Sequence, residues 1–566
     1  MSVFKKYQDL IIIFILIACN FILRGFYLSS NSLAGDEPFS VFYAQMDVGS
    51  IINFLNTGNN PPLYELILHY WIKFFGISEF SVRFPSLVFS SLSVFVIYKL
   101  SSKYFNNHVA IYSSVIFVLN DYHTAFSHES RVYALLGLLS LTSIYLFMGL
   151  LEYCTLDKIE HVKNNNSIRI NFFLLIIVNT LIIYSHYFGF FILIAEFIFI
   201  LLNSRIVSKY WKQLILGFLL IFILFLPIVF DFLSRFNDST VNGTWVQPVE
   251  SLGQLFDLIL VWSNYNKYLY LVTLIVVIVS LWKYIYTANS NKLLKLFLLY
   301  IILPTFFITG FSIYFNIPFV WHLTSNKIYV LSLPIILLAL NLIWVATQFH
   351  KGLNKTIYSN FISFVFVFIL FFMFIISFRV PMFVDRYLMC SAIFFPIILA
   401  LATDYIFNLE KYKYLAPLIV FVFYLQSYRP DLKNSSNVKE IVAKVKSLKG
   451  PNSVVYICPY WQDVNFTYYY NINYFKYDNI SDIKSVMNTK LNSDNVFFIG
   501  NKNELNIDLI KSMNKIIYLD AGSDGSLPNN GVKDYLISHY PLDNKFNYSN
   551  NFVLYVFNSN NKAVNK

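Results

Sequence analysis

Through most of the chain, apolar residues come in blocks near twenty long, separated by short loops that carry Lys and Arg. About 20 residues at ~1.5 Å rise cross a ~30 Å hydrocarbon core, so these blocks predict transmembrane helices. The pattern predicts spans at 8–28, 83–100, 109–126, 132–152, 170–187, 188–204, 213–232, 267–286, 295–314, 326–347, 358–378, 387–408 and 412–428. That makes about thirteen transmembrane helices, an odd number, which carries the chain from one side of the membrane to the other. Alternation puts Lys5-Lys6, Lys99/Lys103, Lys158/Lys163/Arg169, Arg205/Lys209/Lys212, Lys283/Lys292/Lys295, Lys351/Lys355 and Lys411/Lys413 on one side. The opposite side holds roughly half as many cations, so the positive-inside rule makes the first side cytoplasmic. The N-terminus is then cytoplasmic. Asp36, Glu37, loop 233–266 and the C-terminal region from Pro430 lie outside.

Two stretches depart from this pattern. The loop 29–82 is long and partly wet, with adjacent acids at Asp36 and Glu37. Within it, residues 63–75 (LYELILHYWIKFF) are apolar but span only ~20 Å as a helix, too short to cross. Glu65, His69 and Lys73 recur at i, i+4 and i+8 and make one polar stripe, and Pro61-Pro62 suits a helix start. The stripe predicts an amphipathic helix lying flat on the outer interface, with a short buried helix of the loop as the alternative.

The second departure begins at Pro430. A helical pattern at 437–448 places Val438, Ile441, Val442 and Val445 on one face. Short β-branched and aromatic runs follow at 453–458, 495–500, 515–520 and 552–557, with helical stretches such as 481–488 and 503–513 between them. The alternation predicts a small extracytoplasmic α/β domain, 430–566, with a largely parallel sheet, after a membrane domain of 1–429. No Gly-rich phosphate loop opens its helices, so no nucleotide is assigned to it; a lid or acceptor-binding module fits better.

Composition agrees with this division. Of 566 residues, 57% are hydrophobic and 13% charged, too apolar for one soluble globule. The net charge of +11 resides mainly in the loops and reads as a topology signal, not a nucleic-acid surface. Cys19, Cys154, Cys390 and Cys458 are scattered without metal-ligand or disulfide spacing. Lys5-Lys6 before an apolar run imitates a signal peptide. No small-residue cleavage site follows, which predicts a retained first helix.

Ionisable residues in or beside a membrane body are costly and point to function. Four groups fall on the outer side: Asp36-Glu37, His128-Glu129-Ser130-Arg131, His186-Tyr187 and Asp385-Arg386-Tyr387. Carboxylates near Asp36 and Glu129 are candidate proton acceptors, and Arg131 and Arg386 match phosphate oxygens in bidentate fashion. Each has a plainer alternative. Asp36-Glu37-Pro38 is also a good helix start. Glu129 and Arg131 could pair at a helix entrance, His186 could be an interfacial hydrogen-bonder, and Arg386 could snorkel from a helix end. Their shared sidedness is the stronger signal.

The pieces GDEPFSVFYA, NNPPLYELILHYWIKFFGISEFSVRFPS, SHESRVYALLGLLSL, IYSHYFGFFILIAE, VDRYLMCSAIFFPIILA and YRPDLKNSSNVKEIVAKVKSL, running from Asp36 to Leu448, resemble the GT-C glycosyltransferases. The resemblance is to the bacterial branch similar to protein O-mannosyltransferases and aminoarabinose transferases. It implies a polytopic α-helical, GT-C-like membrane enzyme of the cell envelope that uses a polyprenyl-phosphate sugar donor, with inversion, at the outer face. The family's first-loop acid maps onto Asp36, with Glu37 beside it, and its second-loop acid onto Glu129. Arg131, His186, Tyr187, Arg386, Tyr387, His69, Pro61 and Pro62 are then expected to bind substrate. Relatives often carry His or Lys just before the Pro-Pro pair, where this chain has Asn60. That departure argues against lipid A modification and leaves phosphate binding to arginines.

The expectation is a hexosyl or pentosyl transferase, multi-pass in a bacterial plasma (inner) membrane. Its partners would be the bilayer, the donor lipid, and a lipid, glycan or protein acceptor, with no nucleic acid. No cofactor is assigned, and a divalent metal between the first- and second-loop acids is left open. The alternative is a non-catalytic lipid-linked sugar transporter or flippase. A flippase needs a polar path through the membrane middle, whereas the charges here read as clustered at helix ends.

Overall fold

The computed structural model describes residues 2–56, 60–160, 165–204, 210–241, 243–244, 246–287, 356–406, 414–429, 437–477, 480–548 and 552–559. The expected spans at 295–314 and 326–347 lie outside the described residues, as do Lys163, Arg205, Lys209, Lys292, Lys295, Lys351, Lys355, Lys411 and Lys413.

Up to Ser427 the described residues are mainly helical: α1 (Ser2–Phe26), α2 (Glu37–Tyr43), α3 (Val48–Asn56), α4 (Leu63–Phe75), α5 (Glu79–Tyr104), α6 (Asn107–Val118), α7 (Asp121–Ser127), α8 (Tyr133–Glu160), α9 (Asn165–Ser185), α10 (Phe190–Leu202), α11 (Trp211–Val241), α12 (Gly253–Trp262), α13 (Lys267–Thr287), α14 (Thr356–Ile376), α15 (Phe395–Ile406) and α16 (Leu415–Ser427). Among the described residues, five helices are long and apolar enough to cross a membrane: α1, α5, α8, α11 and α14. A bent pair, Asp385–Ala392 with α15, turns by 49° at a short break and can form one more crossing. Shorter apolar segments of 10–17 residues lie in α6, α9, α10, α12, α13 and α16. α11 carries Ile215, Leu219, Phe222, Leu226 and Phe230 exposed along its length. A contiguous apolar face of that kind belongs against lipid.

Two expected spans are broken. The predicted helix 109–126 is α6 and α7, parted at Leu119-Asn120. Asn120 Oδ1 accepts from His123 N–H (3.2 Å) and caps α7, while its Nδ2 donates to the Trp262 carbonyl (2.7 Å). The second is the bent pair at 385–406. A further departure lies inside the bundle. Glu196 of α10 is fully buried, with Ser143 Oγ of α8 donating to it at 2.6 Å and Asn179 Nδ2 of α9 at 2.8 Å. The ionisable residues are therefore not confined to helix ends. This triad closes on itself, each carboxylate oxygen held by one neighbouring helix.

The C-terminal domain contains α17 (Val438–Leu448), β1 (Ser453–Cys458), α18 (Asp463–Tyr470), α19 (Ile483–Ser493), β2 (Val496–Phe498), α20 (Ile507–Ser512), β3 (Lys515–Ala521), α21 (Val532–His539), β4 (Leu542–Asn547) and β5 (Phe552–Asn558). The sheet order is β2-β1-β3-β5-β4. β1 pairs in parallel with β2 and β3, whereas β5 is antiparallel to both β3 and β4. β1 is buried at every position because helices cover both faces of the sheet. β4 (LDNKFN) is an exposed polar edge with no apolar alternation, so nothing in its sequence announces a strand.

The domain sits on the membrane body through α18 and the segment after it. Phe42 of α2 packs its ring 5.2 Å from Phe475 and 5.8 Å from Tyr477. Gln45 bonds the backbone of both: Nε2 donates to the Phe475 carbonyl (3.1 Å) and Oε1 accepts from Tyr477 N–H (3.1 Å). Tyr468 Oη donates to the Ile77 carbonyl at 2.7 Å.

Candidate functional site

The loop between α1 and α2 is built around one arginine. Arg83 lies four residues into α5 and is 2% exposed. Its Nη1 donates to the carbonyls of Leu28 (3.0 Å) and Asn31 (2.8 Å), and its Nη2 to that of Ser32 (2.9 Å). The remaining donors make a fork on Glu37: Nε to Oε1 at 2.8 Å and Nη2 to Oε2 at 2.7 Å. Glu37 also accepts from Ser130 N–H (2.9 Å) and Ala34 N–H (3.4 Å). A buried carboxylate is tolerated only when its lone pairs are filled in this way. Glu37, expected to share chemistry with Asp36, is thus fully committed to holding the first loop, α5 and the Glu129–Arg131 turn together.

Asp36 points the other way. Gly35 takes a left-handed conformation (φ +57°), which turns the chain before α2, and Asp36 stands at the N-cap position of α2. Its carboxylate makes no capping bond and is half exposed. Instead, its Oδ2 lies 3.3 Å from Nη1 of Arg386 and 3.8 Å from Nη2 of Arg131. Arg131, in the turn before α8, is nearly buried. It donates from Nη1 to Ser40 Oγ (2.7 Å), and the same nitrogen lies 3.9 Å from Glu65 Oε1. Ser40 Oγ in turn donates to Glu65 Oε1 at 2.8 Å. Burial works against the Arg131 charge, but Asp36, Tyr133, Glu65 and Glu129 outweigh it and raise its pKa. Burial raises the pKa of Glu65, with Arg131 and Ser40 pulling the other way.

The polar stripe of α4 therefore does not face water. Glu65 and His69 are buried against the loop, while Tyr70, Phe74 and Phe75 on the far side are exposed. The expectation of a water-facing stripe is inverted: the stripe serves the protein interior and the aromatics face outward, as suits a helix beside lipid. His69 donates from Nδ1 to the Ala44 carbonyl (2.8 Å), which ties α4 to the end of α2. Pro61 and Pro62 are buried, Pro62 in the N-cap position of α4.

On the other flank, His186 fills the turn between α9 and α10, where its Nδ1 accepts from Phe188 N–H (3.2 Å). Its ring lies 6.0 Å from Tyr133 and 5.6 Å from Tyr387. Burial, reinforced by the charges of Arg131 and Arg386, lowers its pKa to about 3. A neutral imidazole is the consequence at physiological pH. Asp385 anchors the short helix Asp385–Leu388: its carbonyl accepts from Tyr122 Oη (2.7 Å) and its carboxylate from Arg386 N–H (2.7 Å). Arg386 also stacks over Tyr387, 5.6 Å from guanidinium carbon to ring centre.

The structure thus brings together Asp36, Arg131, Arg386, His186 and Tyr387. Glu129 is half-buried in the same turn as Arg131 and contributes to the field there. Tyr187 turns to pack on Phe232 of α11 (5.0 Å), and His69, Pro61 and Pro62 serve the fold of the loop. Sequence reasoning missed Arg83 and Ser40, and named Glu65 only as part of the α4 stripe. Arg83 had a signal, an arginine just inside an apolar run. Ser40 had none. Among the described residues no three or more His, Cys, Asp or Glu side chains gather as a metal-binding group. Chemically, the cluster offers one solvent-reachable carboxylate and two guanidiniums on the same spot. That combination can accept a proton or orient a hydroxyl while binding an anion.

Residues 59–230 match the dolichyl-phosphate-mannose-protein mannosyltransferase family. The matched stretch contains Pro61, Pro62, Arg83, Glu129, Arg131 and His186, whereas Asp36 and Arg386 lie outside it. Among solved structures, the chain is similar to ArnT from Cupriavidus metallidurans in the apo state (13% identity, 96% of this chain and 97% of that one, TM-score 0.45). The same protein bound to undecaprenyl phosphate is similar at 11% identity, over 96% and 97%, with a TM-score of 0.45. The Archaeoglobus fulgidus oligosaccharyltransferase in the apo form is similar at 12% identity, over 98% of this chain and 75% of that one, with a TM-score of 0.48. No curated protein sequence matches the chain.

Proposed function

We propose that this chain is a membrane glycosyltransferase that moves a sugar from a polyprenyl-phosphate donor to an acceptor at the outer face of the membrane, with inversion. The observation that carries the reading is the meeting of Asp36, Arg131 and Arg386. A half-exposed carboxylate and two guanidiniums from three separate loops converge where the bundle meets the C-terminal domain. The match to the mannosyltransferase family over 59–230 supports it, because that stretch supplies Arg131 and the Glu37–Arg83 frame's arginine.

In this reading the lipid tail lies along the apolar helices, and Arg386 and Arg131 hold the phosphate through charge-assisted bonds. The acceptor hydroxyl attacks the anomeric carbon from the face opposite the phosphate. The new C–O bond forms as the bond from that carbon to the phosphate oxygen breaks, and polyprenyl phosphate leaves with the electron pair. Asp36 takes the acceptor proton. Both guanidiniums stabilise the charge that grows on the leaving oxygen. His186, kept neutral, packs behind them without adding a competing anion or cation.

The test is direct. Purified protein given a radiolabelled polyprenyl-phosphate sugar and a mixed acceptor fraction should consume donor and release polyprenyl phosphate. The rival reading, a flippase, predicts that label moves between leaflets of a vesicle with the donor intact. A flippase needs a polar path through the membrane middle, whereas the buried Glu196 is satisfied locally by Ser143 and Asn179.

A further inference from the structure

The Asp36 loop is fixed from the membrane body by Arg83, which grips carbonyls upstream at Leu28, Asn31 and Ser32 and the Glu37 carboxylate downstream. Four residues, Leu33–Asp36, lie between these anchors, and the first of them is held from elsewhere. Leu33 is fully buried, and its N–H donates to Tyr469 Oη at 2.5 Å. Tyr469 belongs to α18 of the C-terminal domain, 436 positions away. The same phenol donates onward to Glu79 Oε1 at 2.8 Å, and Glu79 also faces Lys439 Nζ at 3.6 Å. Glu79 and Arg83 are one helical turn apart at the start of α5. One end of α5 therefore clamps the loop twice: directly through Arg83, and indirectly through Glu79 with the Tyr469 hydroxyl as the intermediate.

A buried N–H without an acceptor is strongly disfavoured, so the Leu33 N–H requires this oxygen. Gly35, in its left-handed conformation, is the pivot between Leu33 and Asp36. Fixing Leu33 on one side of that pivot and Glu37 on the other sets where the Asp36 carboxylate stands relative to Arg131 and Arg386.

We propose that Tyr469 is a positioning residue for Asp36, and that the C-terminal domain completes the active site through this one hydroxyl. The proposal rests on the glycosyltransferase reading above and goes beyond it by giving the domain a share in turnover. The phenol touches no reacting atom. Its role is to hold the base in line, and misplacement of a reacting group by about 1 Å costs up to about a hundredfold in rate.

The experiment compares four full-length proteins in lipid nanodiscs: wild type, Tyr469→Phe, Asp36→Asn and the double variant. Single-turnover sugar transfer, donor affinity, thermal midpoint and amide hydrogen exchange of the 30–37 segment are measured for each. Tyr469→Phe should slow transfer by about tenfold or more, with donor affinity within about twofold of wild type. It should lower the thermal midpoint by no more than a few degrees in a chain of this size and speed exchange at 33–36. On the Asp36→Asn background it should slow transfer no further, because it acts through Asp36. An unchanged rate in Tyr469→Phe overturns the proposal. So does the same fold-loss on both backgrounds, or a joint fall in donor affinity and thermal midpoint, which marks a merely structural bond. If wild type itself transfers no sugar, the glycosyltransferase reading falls. The exchange measurement then still decides whether Tyr469 holds the loop.

Discussion

Arg386 Nη1 lies 3.3 Å from Asp36 Oδ2, although 350 positions separate the two residues. The same oxygen faces Arg131 at 3.8 Å, so one carboxylate balances two guanidiniums delivered by different loops. Each guanidinium presents its donors in a fixed planar fork, a geometry that matches the oxygens of a phosphate as well as those of a carboxylate.

Asp36→Asn is nearly isosteric. It should lower single-turnover transfer by at least about 10²-fold, the lower end of what a general base contributes. Folding and donor binding should change little, since Asp36 makes no cap bond and is half exposed. A rate within about threefold of wild type at saturating donor would end the assignment.

Arg386→Ala should weaken donor binding more than Arg386→Lys, because lysine keeps the charge and loses the fork. Equilibrium binding of a fluorescent polyprenyl phosphate reads both variants. Equal affinity of Ala and wild type would remove Arg386 from the phosphate site.

Glu37→Gln and Asp36→Asn should separate cleanly although the residues are adjacent. Glu37 is buried in a two-bond pair with Arg83, and stripping the charge from one partner of such a pair costs about 3–5 kcal/mol. Glu37→Gln should therefore lower the thermal midpoint strongly and reduce turnover mainly through lost folded protein. A normal midpoint for this variant would mean that the pair holds little.

Stability should fall with acid partly through His186. Burial moves its pKa from 6.5 to about 3, so between those values the unfolded chain binds a proton that the folded chain refuses. Its stabilisation is present above pH 6.5 and is lost as pH falls toward 3, at up to about 1.4 kcal/mol per pH unit. His186→Phe should flatten the fall in thermal midpoint between pH 6.5 and 4.5, read against wild type in the same detergent. An identical slope in the two proteins would contradict this.

Sidedness can be tested on intact cells. A cysteine at Lys484, in the C-terminal domain, should react with an impermeant maleimide, and one at Lys103, at the far end of α5, should not. Labelling at position 103 from outside would reverse the topology.

Much of this was legible in the sequence. Apolar blocks and loop cations announced the membrane body, because the bilayer imposes length and hydropathy on every crossing regardless of neighbours. Short β-branched and aromatic runs announced β1, β2, β3 and β5, and a 3.6-residue period announced the helix at 437–448, because burial selects those residues locally. Asp36, Arg131 and Arg386 were named because charges beside a membrane are rare. Other features depend on partners hundreds of residues away. Residue type and spacing do not distinguish Asp36 from Glu37, and only the family resemblance singled out Asp36; the fold separates them physically, by giving Glu37 to Arg83 and turning Asp36 outward across Gly35. The α4 stripe reads as water-facing because its spacing sets only which residues share a face. Which medium that face meets was decided by the loop packed against it. The break at Asn120 carries only the capping residue itself, and the polar edge strand β4 and the bond from Tyr469 to Leu33 carry no local signal at all. Each is satisfied by a group that only tertiary packing brings within reach, and a backbone donor such as the Leu33 N–H takes whichever acceptor the fold provides.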